Sequence, residues 1–172
     1  MSITYQTTIP GLSADSGAIT GGWTPTTRHL PVYALQVVRE GSVKAATGAI
    51  AGPADAASIF ETFIGHRDRE YLVSMLLDTR MKILGLNVVS IGSLNASLCH
   101  PREVFKPALL LNAAAMIVAH NHPSGDAAPS REDLALHTRL KEVGALIGIA
   151  VLDHLIIGAP GHFVSIKESY GG

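Results

Sequence analysis

The chain has 172 residues, is 47% hydrophobic and 16% charged, and carries a net charge of −1. This is the composition of one globular domain with a real core, not of a disordered chain, and it offers no basic excess for nucleic acid. The single cysteine, Cys99, excludes an internal disulfide and a cysteine-built metal cluster, and with neither a long apolar run nor a basic leader the expectation is a cytoplasmic protein with no membrane span.

Residues 1–28 are rich in Thr, Ser, Gly and Pro, with Ile9-Pro10-Gly11 and Gly21-Gly22 as breakers. They read as a flexible tail or extended arm ahead of a domain over residues 29–172. Pro31–Glu40 alternates well enough for a strand, Gly41-Ser42 turns it, and a second strand can follow around Val43–Ile50. Pro53–Ile64 places Ala56, Ile59, Phe60, Phe63 and Ile64 on one helical stripe, with Gly65 past its end. Arg69–Asp78 is apolar on both faces through its middle, as in a central strand. Asp78-Thr79-Arg80 turns it into a partner around Ile83–Val89, and Ile91–Leu98, rich in Ser and Asn, is expected to be irregular. His100-Pro101 opens a helix. Inside it Pro107 removes a hydrogen bond and clashes, at about 3 kcal/mol, so the expectation is a kink, or a helix that starts later and runs to Asn112.

Asn112–Ala119 is a short apolar run that suits a buried strand. Arg131–Val143 reads as a helix with Leu134, His137, Leu140 and Lys141 at helical spacing. Leu146–Ile157 contains an apolar strand broken only by Asp153-His154, and a turn over Gly158–Gly161 leads to a last short strand at His162–Ile166. These elements suit the α/β class: a three-layer domain with a mixed, mainly antiparallel sheet flanked by helices on both faces.

The chemistry concentrates between Ala119 and Asp133. Strand side chains alternate, so His120 and His122 point the same way and can share one cation. Pro123 ends the strand, Ser124-Gly125-Asp126 is turn chemistry, and Ser130 reads as the N-cap of a helix with acids in its first turn. Asp133, at the third helical position, can swing back toward the histidines. Two imidazoles and a carboxylate with a fourth position open is the arrangement of a catalytic zinc site. The same Ser130-x-x-Asp133 spacing also suits a capping box, in which Asp133 serves only the backbone. Of the other histidines, His154 reads as hydrogen-bonded structure and His100 as a helix cap or a packing residue.

Hydrolysis at such a site needs a group to take a proton from water. The upstream candidates are Glu61, Asp68, Glu70, Asp78 and Glu103. Glu70 opens a central strand and is rigidly held. Glu103 ranks second, since an acid in a first helical turn is favoured by the helix dipole alone.

These residues resemble a known family. His120-x-His122-Pro123, then seven residues between His122 and Ser130, then two more before Asp133, looks like the JAMM motif of JAB/MPN metalloproteases. The run His120-Asn121-His122-Pro123-Ser124-Gly125, with Gly92-Ser93-Leu94-Asn95, His100-Pro101-Arg102-Glu103-Val104, Pro129-Ser130 and Leu152-Asp153-His154-Leu155-Ile156-Ile157-Gly158, resembles the RadC branch, from about Pro31 to Ser165. The N-terminal helix-hairpin-helix-like segment of many members has no counterpart here, so a stand-alone JAB domain is expected. The resemblance implies the cytidine-deaminase-like JAB/MPN fold, a Zn2+ ion on His120, His122 and Asp133, and cleavage of peptide or isopeptide bonds in a peptide or protein substrate. It implies that Glu70 takes a proton from the zinc-bound water and returns it to the leaving amine, and that Ser130 hydrogen-bonds the oxyanion. An N-cap hydroxyl beside an open metal position suits that last task, an effect of about 3 kcal/mol when one such donor is lost. The branch name implies an alternative: a DNA-repair-associated module whose metal site is structural or vestigial. The near-neutral charge supplies no clustered Lys and Arg for it.

Overall fold

In the computed structural model, residues 31–92 and 99–171 are described. The chain divides into two compact units, Met1–Gln36 and Val37–Gly172. Of the first, the described residues 31–36 carry neither helix nor strand. The reading of residues 1–28 as a tail, and of residues 93–98 as irregular, lies outside the described residues.

The second unit runs α1 (Pro53–Ile64), β1 (Tyr71–Leu77), β2 (Ile83–Ile91), α2 (Pro101–Leu110), β3 (Ala115–Asn121), α3 (Arg131–Ile147), β4 (Ala150–Ile157), β5 (Phe163–Ser165) and α4 (Ile166–Tyr170). The strands form one five-stranded sheet in the order β2-β1-β3-β4-β5. Every pairing is antiparallel except β3 with β4, so the expected mixed, mainly antiparallel sheet is present.

Period-two alternation decides which side each strand residue serves. On β1 and β3 the odd-numbered Val73, Met75, Leu77, Ile117 and Ala119 pack with Ala56, Ile59, Phe60 and Ile64 of α1. The even-numbered Leu72, Leu76, Met116 and Val118 pack with Val104, Phe105 and Ala108 of α2 and Leu136 and Leu140 of α3. Helices therefore cover both faces, which makes three layers. Cys99 is buried against the second face.

Several boundaries differ from the sequence reading. Pro31–Glu40 is exposed throughout and forms no strand, and Val43–Ile50 contributes only an isolated bridge, Ala49 to Lys82. Alternation gives a strand its faces, but a strand also needs a partner ladder, and neither segment has one among the described residues. β3 begins at Ala115, not Asn112: Asn112 takes a left-handed φ of +51° just after α2. Pro107 sits inside α2, which starts at Pro101 and stops at Leu110, so the helix neither starts late nor reaches Asn112. α3 continues past Val143 to Ile147, where Gly148 caps it at φ +76°. Leu146 and Ile147 thus belong to the helix, and β4 starts at Ala150.

Candidate metal centre

β3, α3 and β4 form the one parallel crossover of the sheet. In such a unit the chain leaves the carboxyl end of a strand and re-enters at a helix N-terminus, and ligands collect at that junction. β3 delivers His120 on the α3 side of the sheet, fully buried. One residue beyond β3, the His122 amide still donates to the Ile157 carbonyl at 2.8 Å, which keeps His122 in line with His120. The α3 N-terminus brings in Asp133, also buried.

The three side chains meet. His120 Nε2 lies 2.9 Å from His122 Nε2 and 3.3 Å from Asp133 Oδ1, and His122 Nε2 lies 3.8 Å from Asp133 Oδ2. Their ligand atoms all fall within 4.8 Å of one another. Donors at about 2.0–2.1 Å from a tetrahedral zinc stand about 3.3–3.4 Å apart, a spacing the three observed distances bracket. The donor set, two neutral-capable imidazoles and one carboxylate, fits zinc, and His120, His122 and Asp133 could hold a metal ion.

Supporting bonds position two of the candidate ligands, His122 and Asp133. His122 Nδ1 stands 2.7 Å from the Asp126 carbonyl oxygen. That oxygen only accepts, so the proton sits on Nδ1 and Nε2 keeps its lone pair. Asp133 Oδ2 accepts from the Ser130 amide at 2.8 Å and from the Ser130 hydroxyl at 2.6 Å. The Asp133 amide in turn donates to Ser130 Oγ at 3.1 Å. The capping box therefore exists, and it aims the other carboxylate oxygen at His120. Burial alone pushes the Asp133 carboxyl up, but the hydrogen bond and charge of His120 and the Ser130 bonds outweigh it and hold the group well below the usual carboxylate range.

Of the cluster, His122 and Asp133 line a cleft of about 320 Å³ together with Glu70, Pro123, Ser124 and Ser130, and His120 lies buried behind them. Glu70 immediately precedes β1, and β1 pairs with β3 so that Leu72 faces His120. Two residues back on one strand and two forward on the other put Glu70 opposite His122. None of the other candidate acids lines this cleft. Glu61 accepts from the Gly161 amide, Asp68 pairs with Arg69, Asp78 closes its turn on Arg80 and Lys82, and Glu103 pairs with Lys106.

Two residues belong to the site that the spacing argument did not single out. Asn121 lies between the two histidines and points to the opposite face. Its Oδ1 accepts the Tyr71 amide at 2.8 Å, and its Nδ2 donates to the Arg69 carbonyl at 3.0 Å. These bonds bracket Glu70 on both sides. His154 of β4 places Nε2 at 2.9 Å from His120 Nδ1. Its ring thus bonds to the site, while the Asp153 carboxylate accepts from the His154 backbone amide, from Ser165 Oγ and from the Lys167 amide. His100 occupies the α2 N-cap without a side-chain capping bond, which leaves it outside the capping role.

A three-layer α/β domain that gathers two histidines and an aspartate at the carboxyl end of a central strand defines a JAB/MPN-type architecture with a candidate metal centre. The chain belongs to the RadC-like JAB domain family, whose model matches residues 50–171. It is similar to the UPF0758 protein of Moorella thermoacetica, 51% identical over 119 residues covering 69% of this chain and 52% of that protein. It is also similar to the UPF0758 protein of Rubrobacter xylanophilus, 46% identical over 137 residues covering 78% and 60%, and to that of Methanococcoides burtonii, 55% identical over 105 residues covering 60% and 45%. The chain spans about half the length of the curated relatives it matches. No helix among the described residues is long and apolar enough to cross a membrane.

Proposed function

We propose that this protein is a zinc-dependent hydrolase of the JAMM type that cleaves peptide or isopeptide bonds in a peptide or protein substrate. The observation that carries the reading is the convergence of His120, His122 and Asp133 within 4.8 Å, on the wall of a cleft that also contains Glu70. His120, His122 and Asp133 hold the ion. Zinc, when bound, supplies Lewis acidity and makes water a nucleophile at neutral pH.

The remaining work falls to the chain's own groups. Glu70 takes the proton of the attacking water and delivers it to the leaving amine, the general-base and general-acid halves of one exchange. Asn121 keeps Glu70 in place by fixing the backbone on both sides of it. Ser130 donates to the developing oxyanion. Its hydroxyl bonds Asp133 Oδ2 in this structure, so it must rotate about Cβ–Oγ to do so. The Ser130 amide, bonded to the same oxygen, holds Asp133 while it turns.

Metal analysis of the purified protein, combined with a panel of peptide-linked and isopeptide-linked substrates and a duplex DNA control, tests the proposal. The expected result is stoichiometric zinc in the wild type and in Glu70→Gln, with hydrolysis lost in the variant, and loss of zinc in His122→Ala. Full zinc in His122→Ala, or undiminished hydrolysis by Glu70→Gln, defeats the assignment.

A further inference from the structure

His154 is fully buried on the α3 side of the sheet. One proton is shared between its Nε2 and His120 Nδ1, 2.9 Å apart. Its other nitrogen, Nδ1, is buried with no hydrogen-bond partner among the described residues. The ring of His137 is 6.2 Å away between centroids, and both of its nitrogens are likewise unpartnered.

Two tautomer pairs satisfy the short contact. In one, His154 Nε2 carries the proton and donates to His120 Nδ1. His120 then carries its own proton on Nε2, pointing at His122 and Asp133, and has no lone pair for a cation. In the other, His120 Nδ1–H donates to His154 Nε2, and His120 Nε2 turns its lone pair into the cluster. Only the second is compatible with His120 as a ligand through Nε2, and it leaves His154 with a buried, unpartnered Nδ1–H. A metal-bound histidine ordinarily gives its second N–H to a carboxylate, a backbone carbonyl or water, as His122 does with Asp126. His120 has an imidazole instead.

We propose that His154 is a positioning residue for the metal centre: by accepting the His120 Nδ1 proton it fixes the tautomer and ring orientation that present Nε2 to the cation. The proposal rests on His120, His122 and Asp133 being the metal ligands. A histidine kept only to fill the core gains nothing from an unpartnered ring nitrogen, which an aliphatic side chain of similar volume avoids. Acceptance of the ligand's proton is what the aliphatic residue cannot supply.

The test is zinc affinity by competition with a chromophoric chelator, in the wild type, His154→Leu, His154→Gln and His137→Leu. The melting temperature of each is measured with and without zinc, and the imidazole tautomers of the zinc-loaded wild type are read by long-range proton–nitrogen NMR. His154→Leu weakens zinc binding by about 10- to 100-fold and shrinks the zinc-induced rise in melting temperature. His154→Gln, which restores a carbonyl acceptor, recovers most of both, and His137→Leu leaves zinc affinity unchanged. In the zinc-loaded wild type, His120 carries its proton on Nδ1. A purely structural His154 lowers the zinc-free and zinc-loaded melting temperatures equally and leaves affinity intact, and that result overturns the proposal. So does a zinc-loaded His120 protonated on Nε2, a readout that survives if His154→Leu fails to fold. A wild type that binds no zinc overturns the ligand set itself, whereas a zinc-binding wild type matched by a folded His154→Leu overturns the role of His154 alone.

Discussion

Asp133 divides its two carboxylate oxygens between two tasks. Oδ2 closes the α3 capping box with Ser130, and Oδ1 faces His120. The structural and the metal-binding readings of Ser130-x-x-Asp133 are therefore compatible: the box fixes the direction of the ligand. Ser130→Ala removes both the cap and one of the bonds on Oδ2. It is expected to cost about 1 kcal/mol of stability, within the roughly 0.5–2 kcal/mol span of such caps, read by denaturant unfolding. If the hydroxyl serves the oxyanion, turnover falls by about 100- to 1,000-fold as well. Asn121→Ala removes the part-buried bonds to the Tyr71 amide and the Arg69 carbonyl, at about 0.5–1.5 kcal/mol for each bond lost. It is expected to lower the unfolding midpoint and turnover while zinc stoichiometry holds. The two-residue spacing of His120 and His122 is legible in the sequence because strand alternation is local. Asn121 is not, because its partners lie fifty and more positions upstream, and His154 is not, because its partner is thirty-four positions away on another strand.

Among elements, the loop from Pro123 to Pro129 is held by its neighbours. The Ala159 amide donates to the Gly125 carbonyl at 2.8 Å, and Gly158 lies beneath the same carbonyl. A Cβ at residue 158 would stand 2.5 Å from the Gly125 oxygen and 3.0 Å from the Ala127 Cβ, so backbone must move. The loop also carries the Asp126 carbonyl that orients His122. Gly158→Ala is accordingly expected to weaken zinc binding, measured by chelator competition, without removing any ligand. α1 was readable end to end from its stripe and the Gly65 past its end. The Pro31–Glu40 segment shows the limit of pattern: its alternation is genuine, but pairing is a property of another segment. The α3–β4 junction misled for a related reason, since a short apolar run such as Leu146–Ile149 fits a helix end and a strand start equally well.

At the scale of the whole molecule, the three layers and the mixed sheet followed from the order and hydrophobicity of the segments, whereas the strand order, and with it the pairing of β1 beside β3 that carries Glu70 to His122, rests on contacts between distant segments. The same buried layer makes stability depend on pH. The His137 pKa is held below its ordinary value by burial, with Lys141 adding to the effect and Asp153 opposing it. The unfolded chain takes up a proton as pH falls through about 6.5, and the folded chain does not. This contribution to stability is therefore complete above that range and declines toward acid. With zinc removed, the urea midpoint is expected to fall between about pH 7.5 and about pH 5.5, and His137→Leu is expected to flatten the slope.

Vectorial synthesis gives the parallel crossover a further consequence. The ribosome joins His120, His122 and Asp133 to the chain before it makes β4, the strand whose Ile157 carbonyl aligns His122 and whose His154 abuts His120. A chain cut ahead of β4 owns all three candidate ligands yet lacks the strand that orders them, so if they take a cation as proposed, capture waits on the docking of β4.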